Sequence, residues 1–544
     1  NPSKKVTIKL WQITAILMTL NTSSHPYEYG RYIYPFPYIL KGDFIMACTT
    51  ILVGKNVTFD GSTMVARNED SPSGQFSEKK FIVVQPNEQP IKYKSVLSHV
   101  EIDLPTNPMR YTCMPNAVDE SGVWGACGVN ELNISMTATE TLTSNERVLG
   151  ADPLVNFIPA VGKEGDKDYV PEKDGGIGEE DMVTLVLPYI KSAREGVIRL
   201  GEILEKYGTY EMNGIAFQDV NEIWWLETIG GHHWIARRVP DDCYVIMPNQ
   251  LGIDYFDLED AFGEQKEYMC SSDLKEFINR YHLDLSIDGS LNPRDAFGSH
   301  SDADHTYNTP RAWVLQRYFN PLTNYWDGMD ADYVPESDYI PWCRTPDKKI
   351  TVEDIKYALS NHFQGTPYDP YGKFSNERGK FRPIGINRNN FLGLVQIRPD
   401  MPEEIRSIEW LALGSNVFNA MIPFYVNIDK TPEYLANTTK ELTTEDFYWS
   451  NRLVAALADA HFASCSSHIE RYQLAIQSKC TEIINKYDNE FLGGKVAKEK
   501  VVEFCENANE EIATELRKQT IDLLGKVLYT ASCEMKNGFS RSDA

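Results

Sequence analysis

The chain has 544 residues, with 53 Lys and Arg against 78 Asp and Glu and a formal net charge of −25. That balance excludes nucleic acid as a partner, because phosphate binding needs a basic face. A composition of 42% hydrophobic and 24% charged residues is that of a soluble globular protein with ample chain for a large core.

The first 47 residues differ from the rest. Lys4 and Lys5 precede "LWQITAILMTL", an apolar run of signal-peptide length and too short to span a bilayer. No A-x-A-like cleavage site follows it. Residues 27–44, "YEYGRYIYPFPYILKGDF", are crowded with aromatics and prolines and show neither hydrophobic period. Residues 1–47 are read as a leader, upstream or pro-segment, with translation expected to begin at Met46. A cytoplasmic location is expected, or an exported one if the leader is a signal peptide.

From Cys48 the pattern is strand-like. "CTTILVG", "STMVARNED" and "KKFIVVQP" are short β-rich runs separated by turn residues such as Asp60-Gly61. "GVWGACGVNELNISMTATET" continues in that style, and a loop rich in Gly, Lys and Asp follows. "MVTLVLPYIKSAREGVIRLGEILEKYG" has helical spacing and ends at Gly208, a C-terminal cap. Strands resume at "GIAFQDVNEIWWLETIGGHHWIARRV" and "CYVIMPNQLGI". Residues 250–350 read as loop-rich. Strands return at "FLGLVQIRP" and "SIEWLALG". From Thr444 the chain turns amphipathic and helical, broken at Gly493-Gly494 and running on to about Cys533. This order predicts an α+β fold, with a domain over 48–440 and a helical segment over 441–544 packed on it. The mixed charges of the C-terminal helices assign them to packing or homo-oligomer contacts, with no membrane partner.

The ten cysteines form no C-x-x-C pair, so zinc-knuckle and thioredoxin-type motifs are excluded and reduced thiols are expected. "HSDADH" at 300–305 lacks the glycine and glutamate of an EF-hand and reads as a polar loop. His232 and His233, if on a strand, face opposite ways and make poor joint ligands. "GGIGEED" is not a dinucleotide fingerprint. No metal site and no cofactor are predicted. The N-x-[ST] sequences at Asn56, Asn133 and Asn437 carry meaning only in a secreted chain.

Cys48 is the residue with chemistry to explain. An amide-hydrolysing cysteine needs a thiolate, a proton acceptor and donors for the oxyanion, and no papain-like signature surrounds any cysteine here. A base is at hand if the peptide bond before Cys48 is cut. The freed α-amine, with an ordinary pKa of about 7.7–8.0, lies a few bonds from the sulfur and exchanges protons near neutral pH.

At this point the chain resembles the dipeptidases of peptidase family C69, N-terminal-nucleophile hydrolases related to choloylglycine hydrolases and penicillin V acylases. The resemblance runs from Cys48 to about residue 535. It is carried by "CTTILVGKNVTFDGSTMVARNEDS", "GVNELNISMTATET", "GGHHWIARRVPDDCYVIMPNQ", "NHFQGTPYDP", "QIRPDMP" and "PFYVNIDKTPEY". It implies a four-layer αββα sandwich and small peptide substrates, with Cys48 as nucleophile. It further implies Arg67 beside the sulfur, Asp70 orienting the α-amine, Asn249 in the oxyanion hole and Arg311 as a second active-site arginine. Asn130 and Glu140 fall in a block that borders the substrate in relatives. Charge complementarity adds that Arg311 and an acidic side chain, Glu140 or Asp70, read the substrate's charged ends. Two other readings stay open: a related amidase acting on bile-salt or penicillin-type acyl amides, and a non-catalytic binding protein in which Cys48 is never exposed.

Overall fold

The computed structural model describes residues 48–71, 76–118, 122–137, 140–373 and 375–536; the expectations for residues 1–47 lie outside them. Apolar and β-branched residues fill Thr49–Val53, and every residue of this strand and of Thr63–Asp70 is buried. Strands read this way when both faces are covered. The two pair antiparallel near the middle of a seven-stranded sheet. Its order is Cys343–Arg344, Tyr244–Met247, Thr49–Val53, Thr63–Asp70, Asn389–Ile397, Ser407–Leu413, Ile422–Tyr425.

A second sheet runs Tyr268–Cys270, Trp234–Arg238, Ile223–Thr228, Asn213–Gln218, Ser135–Thr137, Cys127–Val129. Glu140–Thr141 also pairs with Asn213–Gln218. All pairings in both sheets are antiparallel. The architecture is α+β.

Alternation along the strands divides the core. Leu52 and Val65 of the first sheet join Ala216, Trp225 and Ile235 of the second in one apolar cluster. Their neighbours Ile51, Val53, Met64 and Ala66 point the other way. They belong to a cluster with Trp313, Ile355, Val454, Ile476 and Leu516, residues of the helices Thr309–Phe319, Val352–Leu359, Phe447–Asp459, Phe462–Leu492 and Val501–Cys533. On the second sheet, Phe217, Trp224 and Ala236 pack with Val183, Val197 and Leu200 of the helices Glu179–Val186 and Ala193–Tyr207.

Three stretches differ from expectation. The single helical run over 182–208 is split into Glu179–Val186, a 3-10 turn at Leu187–Tyr189 and Ala193–Tyr207. Pro188 supplies no N–H to continue the α-helical hydrogen-bond ladder, and Ser192 caps the new start by accepting from the Glu195 N–H at 3.1 Å. Residues 250–350 contain five helices, Leu258–Phe262, Leu274–Tyr281, Pro293–Phe297, Asp304–Tyr307 and Thr309–Phe319; most are too short for a helical period to show. His232 and His233 precede their strand and converge on Asp152, with Nδ1–Oδ distances of 3.0 and 2.7 Å. Among the described residues, no helix is long and apolar enough to cross a membrane.

Candidate active site

Cys48 immediately precedes the Thr49–Val53 strand and is fully buried. Thr50 lies opposite Arg67 on one neighbouring strand and opposite Met247 on the other. Residues two apart on a strand share a face, so the register carries Arg67 to the side of the sheet that holds the Cys48 side chain. It also carries Asn249, two residues past Met247, alongside Cys48. Arg67 Nη2 donates to Cys48 Sγ at 3.1 Å and to Glu179 Oε1 at 2.5 Å. All three side chains are buried. A guanidinium in contact with sulfur favours the thiolate. Glu179 opens the helix Glu179–Val186, and its N–H donates to Glu211 Oε1 at 2.7 Å. Burial first, and then the charge of Glu179, pushes the Glu211 carboxyl up to about 7.

Arg311 is the third residue of the helix Thr309–Phe319, whose Pro310 fits its first turn. Nη1 donates to the Cys48 carbonyl and to Thr49 Oγ1 (2.8 Å), Nη2 to Asn249 Oδ1 and Asn308 Oδ1 (both 2.7 Å), and Nε to the Tyr307 carbonyl (2.5 Å). Holding Asn249 by its oxygen makes the amide nitrogen its donor end. Asn308 Nδ2 in turn donates to the Asn249 carbonyl at 3.2 Å. The five N–H groups of a guanidinium are all engaged here, which leaves none for a substrate carboxylate.

Asp70 ends its strand, where the partner carries a bulge. Asn389 lies opposite Asp70 but Phe391 opposite Glu69, an irregularity of the kind that bends a strand end and re-aims its side chains. Asn389 Nδ2 donates to Asp70 Oδ1 and Arg382 Nη2 to Oδ2. Arg382 is buried, and desolvation is the main cause that brings its guanidinium down to about 9. Both carboxylate oxygens of Asp70 are therefore held by the protein itself.

The structure brings Cys48, Arg67, Asn249 and Arg311 together, with Asp70 three residues beyond Arg67 on the same strand. Asn130 is spent elsewhere. Its Nδ2 donates to the Leu187 and Ile190 carbonyls (3.0 and 2.8 Å), and its Oδ1 accepts from the Leu132 and Ile134 N–H groups (3.0 and 3.1 Å). Glu140 lies in the second sheet, its backbone opposite Gly214. Sequence reasoning missed Glu179, Arg382, Asn389 and Asn308. Glu179 lay in "GGIGEED", weighed only as a dinucleotide fingerprint; Asn308 sits three residues before Arg311, whereas Arg382 and Asn389 carry no local signal because they reach Asp70 from far along the chain. His300 and His305 both approach Asp338, at 3.7 and 2.9 Å. Among the described residues, no group of three or more His, Cys, Asp or Glu is arranged to hold a metal ion.

Residues 47–475 match the model of peptidase family C69. A dipeptidase of Bifidobacterium longum is 54% identical over 538 residues, covering 92% of this chain and 100% of that protein. A probable dipeptidase A of Streptococcus pyogenes is 50% identical, covering 92% of this chain and 100% of its own length. Dipeptidase A of Lactobacillus helveticus is 43% identical, covering 88% and 96%. The class is thus that of the peptidases. Within it, the chain belongs to peptidase family C69.

Proposed function

We propose that this protein hydrolyses dipeptides with Cys48 as an N-terminal nucleophile. The observation that carries the reading is the contact of Arg67 Nη2 with Cys48 Sγ, made where Arg311 joins the Cys48 carbonyl to the Asn249 amide. The names of the relatives, dipeptidase in each case, point to the same substrate class. The two sheets with shared core and helices on their outer faces support the four-layer αββα arrangement of N-terminal-nucleophile hydrolases.

Cleavage of the Ala47–Cys48 bond frees the α-amine, which takes the thiol proton. The sulfur attacks the peptide carbonyl, and the Asn249 amide nitrogen donates to the oxyanion. Collapse breaks the C–N bond, and the ammonium returns its proton to the departing amino acid. Water, deprotonated by the same amine, then hydrolyses the thioester and releases the second amino acid. In this scheme Asp70, held by Arg382 and Asn389, orients the amine. Residues 1–47 are the segment removed, 48–440 the catalytic domain and 441–544 its helical support.

The test combines processing with chemistry. Active material is expected to show an N-terminus at Cys48 by mass spectrometry, and Cys48→Ser is expected to lower dipeptide hydrolysis by about 10³ or more. Fully active chains that retain Ala47, or undiminished turnover in Cys48→Ser, would defeat the mechanism.

A further inference from the structure

A cavity of about 480 Å³ lies away from Cys48, between the helices Val352–Leu359 and Phe462–Leu492. Lys356, only 7% exposed, forms part of its wall. Its Nζ donates to Ser360 Oγ at 2.7 Å and to the Asn416 carbonyl at 2.6 Å. In its protonated form the ammonium has three N–H groups, so one remains beyond these two neutral acceptors. Among the described residues no carboxylate pairs with this lysine, and burial alone brings it down to about 7. A second donor faces the same problem: Gln477, also in the wall, has a buried Nε2 with no hydrogen-bond partner among the described residues.

Two buried donors short of acceptors call for an anionic or carbonyl-rich ligand. The cavity margin has the opposite character. Glu353 and Glu470 border it and are exposed, whereas the third acid, Asp369, is occupied by His362 Nδ1 at 2.8 Å. Val417 and Phe462 add an apolar surface.

We propose that this cavity is a binding site for a free α-amino acid. The carboxylate meets Lys356 and Gln477, the ammonium faces Glu353 or Glu470, and an aliphatic side chain covers Val417 and Phe462. The charge layout carries this assignment independently of the reaction at Cys48, although amino acids are also what dipeptide hydrolysis releases. Asn416, whose carbonyl Lys356 holds, donates its own N–H to Asn389 Oδ1 at 3.3 Å, and Asn389 holds Asp70. A chain of hydrogen bonds therefore runs from Lys356 in the cavity wall through Asn416 and Asn389 to Asp70.

Titration calorimetry of the full chain with L-leucine tests the site, with L-leucinamide as the probe that lacks the carboxylate. Leucine is expected to bind saturably, and leucinamide about tenfold or more weakly. Lys356→Met and Gln477→Leu are each expected to weaken leucine binding about tenfold or more. Should Lys356→Met fail to fold, Gln477→Leu carries the test alone, since that side chain lies on a partly exposed helix face. Absence of saturable binding, equal affinity for leucinamide, or unchanged affinity in a folded variant overturns the proposal. Leucine bound at Cys48 as a product would be indifferent to both substitutions. Failure of dipeptide hydrolysis would count against the function proposed above and leave this site untouched.

Discussion

Arg311 shows how a single side chain can organise the surroundings of Cys48, with all five of its N–H groups engaged by protein acceptors. Its contacts fix the Cys48 carbonyl, Thr49 and both Asn249 and Asn308. A lysine cannot reproduce that planar fork. Arg311→Lys is expected to lower kcat about tenfold to a hundredfold with a smaller change in KM, in steady-state assays. In the proposed mechanism Asn249 is the oxyanion donor, so Asn249→Ala is expected to be more severe and to cost about 10²–10³ in kcat. Loss appearing only in KM would contradict both assignments. Glu409 offers a test of a different kind. It is fully buried, accepts from Thr112 Oγ1 at 2.8 Å, and burial pushes its carboxyl up to about 7. Between about pH 4.5 and pH 7 the folded chain keeps a proton that the unfolded chain releases, so stability falls as pH rises through that window. Glu409→Gln cannot ionise. Its stability relative to the parent is expected to be similar at pH 5 and higher at pH 8, by up to about 3 kcal/mol, in urea unfolding. An unchanged difference between the two pH values would refute the ionisation argument.

At the scale of elements, turns and caps decide where the chain reverses. The helix Ala193–Tyr207 ends at Gly208, whose φ is +71°. That left-handed region is open to glycine and costs other residues about 1 kcal/mol or more. A Cβ there would also run into Val155 and His232 Nε2. Gly208→Ala is expected to destabilise the protein by about 2 kcal/mol or more, read from the unfolding midpoint. A neutral outcome would mean that the turn relaxes freely. The bulge opposite Glu69 and Asp70 is the other device at this scale. The extra residue lies on the partner strand, whose Asn389 faces Asp70 and donates to its Oδ1.

Across the whole molecule, the C-terminal helices are joined to the first sheet by a common apolar cluster. A buried polar link reinforces it. Arg398 Nη1 and Nη2 donate to Asp488 at 2.5 and 3.1 Å, and Tyr425 Oη donates to the same carboxylate at 2.8 Å. Removing one partner of such a pair leaves an uncompensated charge. Asp488→Ala is expected to cost about 3–5 kcal/mol, whereas Arg398→Met with Asp488→Leu is expected to recover part of that loss. Chemical denaturation of the three chains checks this, and equal stability of Asp488→Ala and the parent would remove the link from the account.

The amino-acid sequence by itself determined the local matters: buried strands from unbroken apolar runs, the Gly208 stop and the break at Gly493-Gly494; it also singled out Cys48 and Arg67, which the structure brings into contact. Those properties reside in neighbouring residues, where periodicity, turn chemistry and motif act directly. Tertiary structure alone decided that Glu179 meets Arg67, that Arg382 and Asn389 hold Asp70, and that Arg311 is consumed by the scaffold. Apart from Asn308 and Tyr307, which lie within one helical turn of Arg311, these partners lie tens to hundreds of residues apart in the chain. Their contacts arise from sheet register and loop closure, which no short window of sequence encodes.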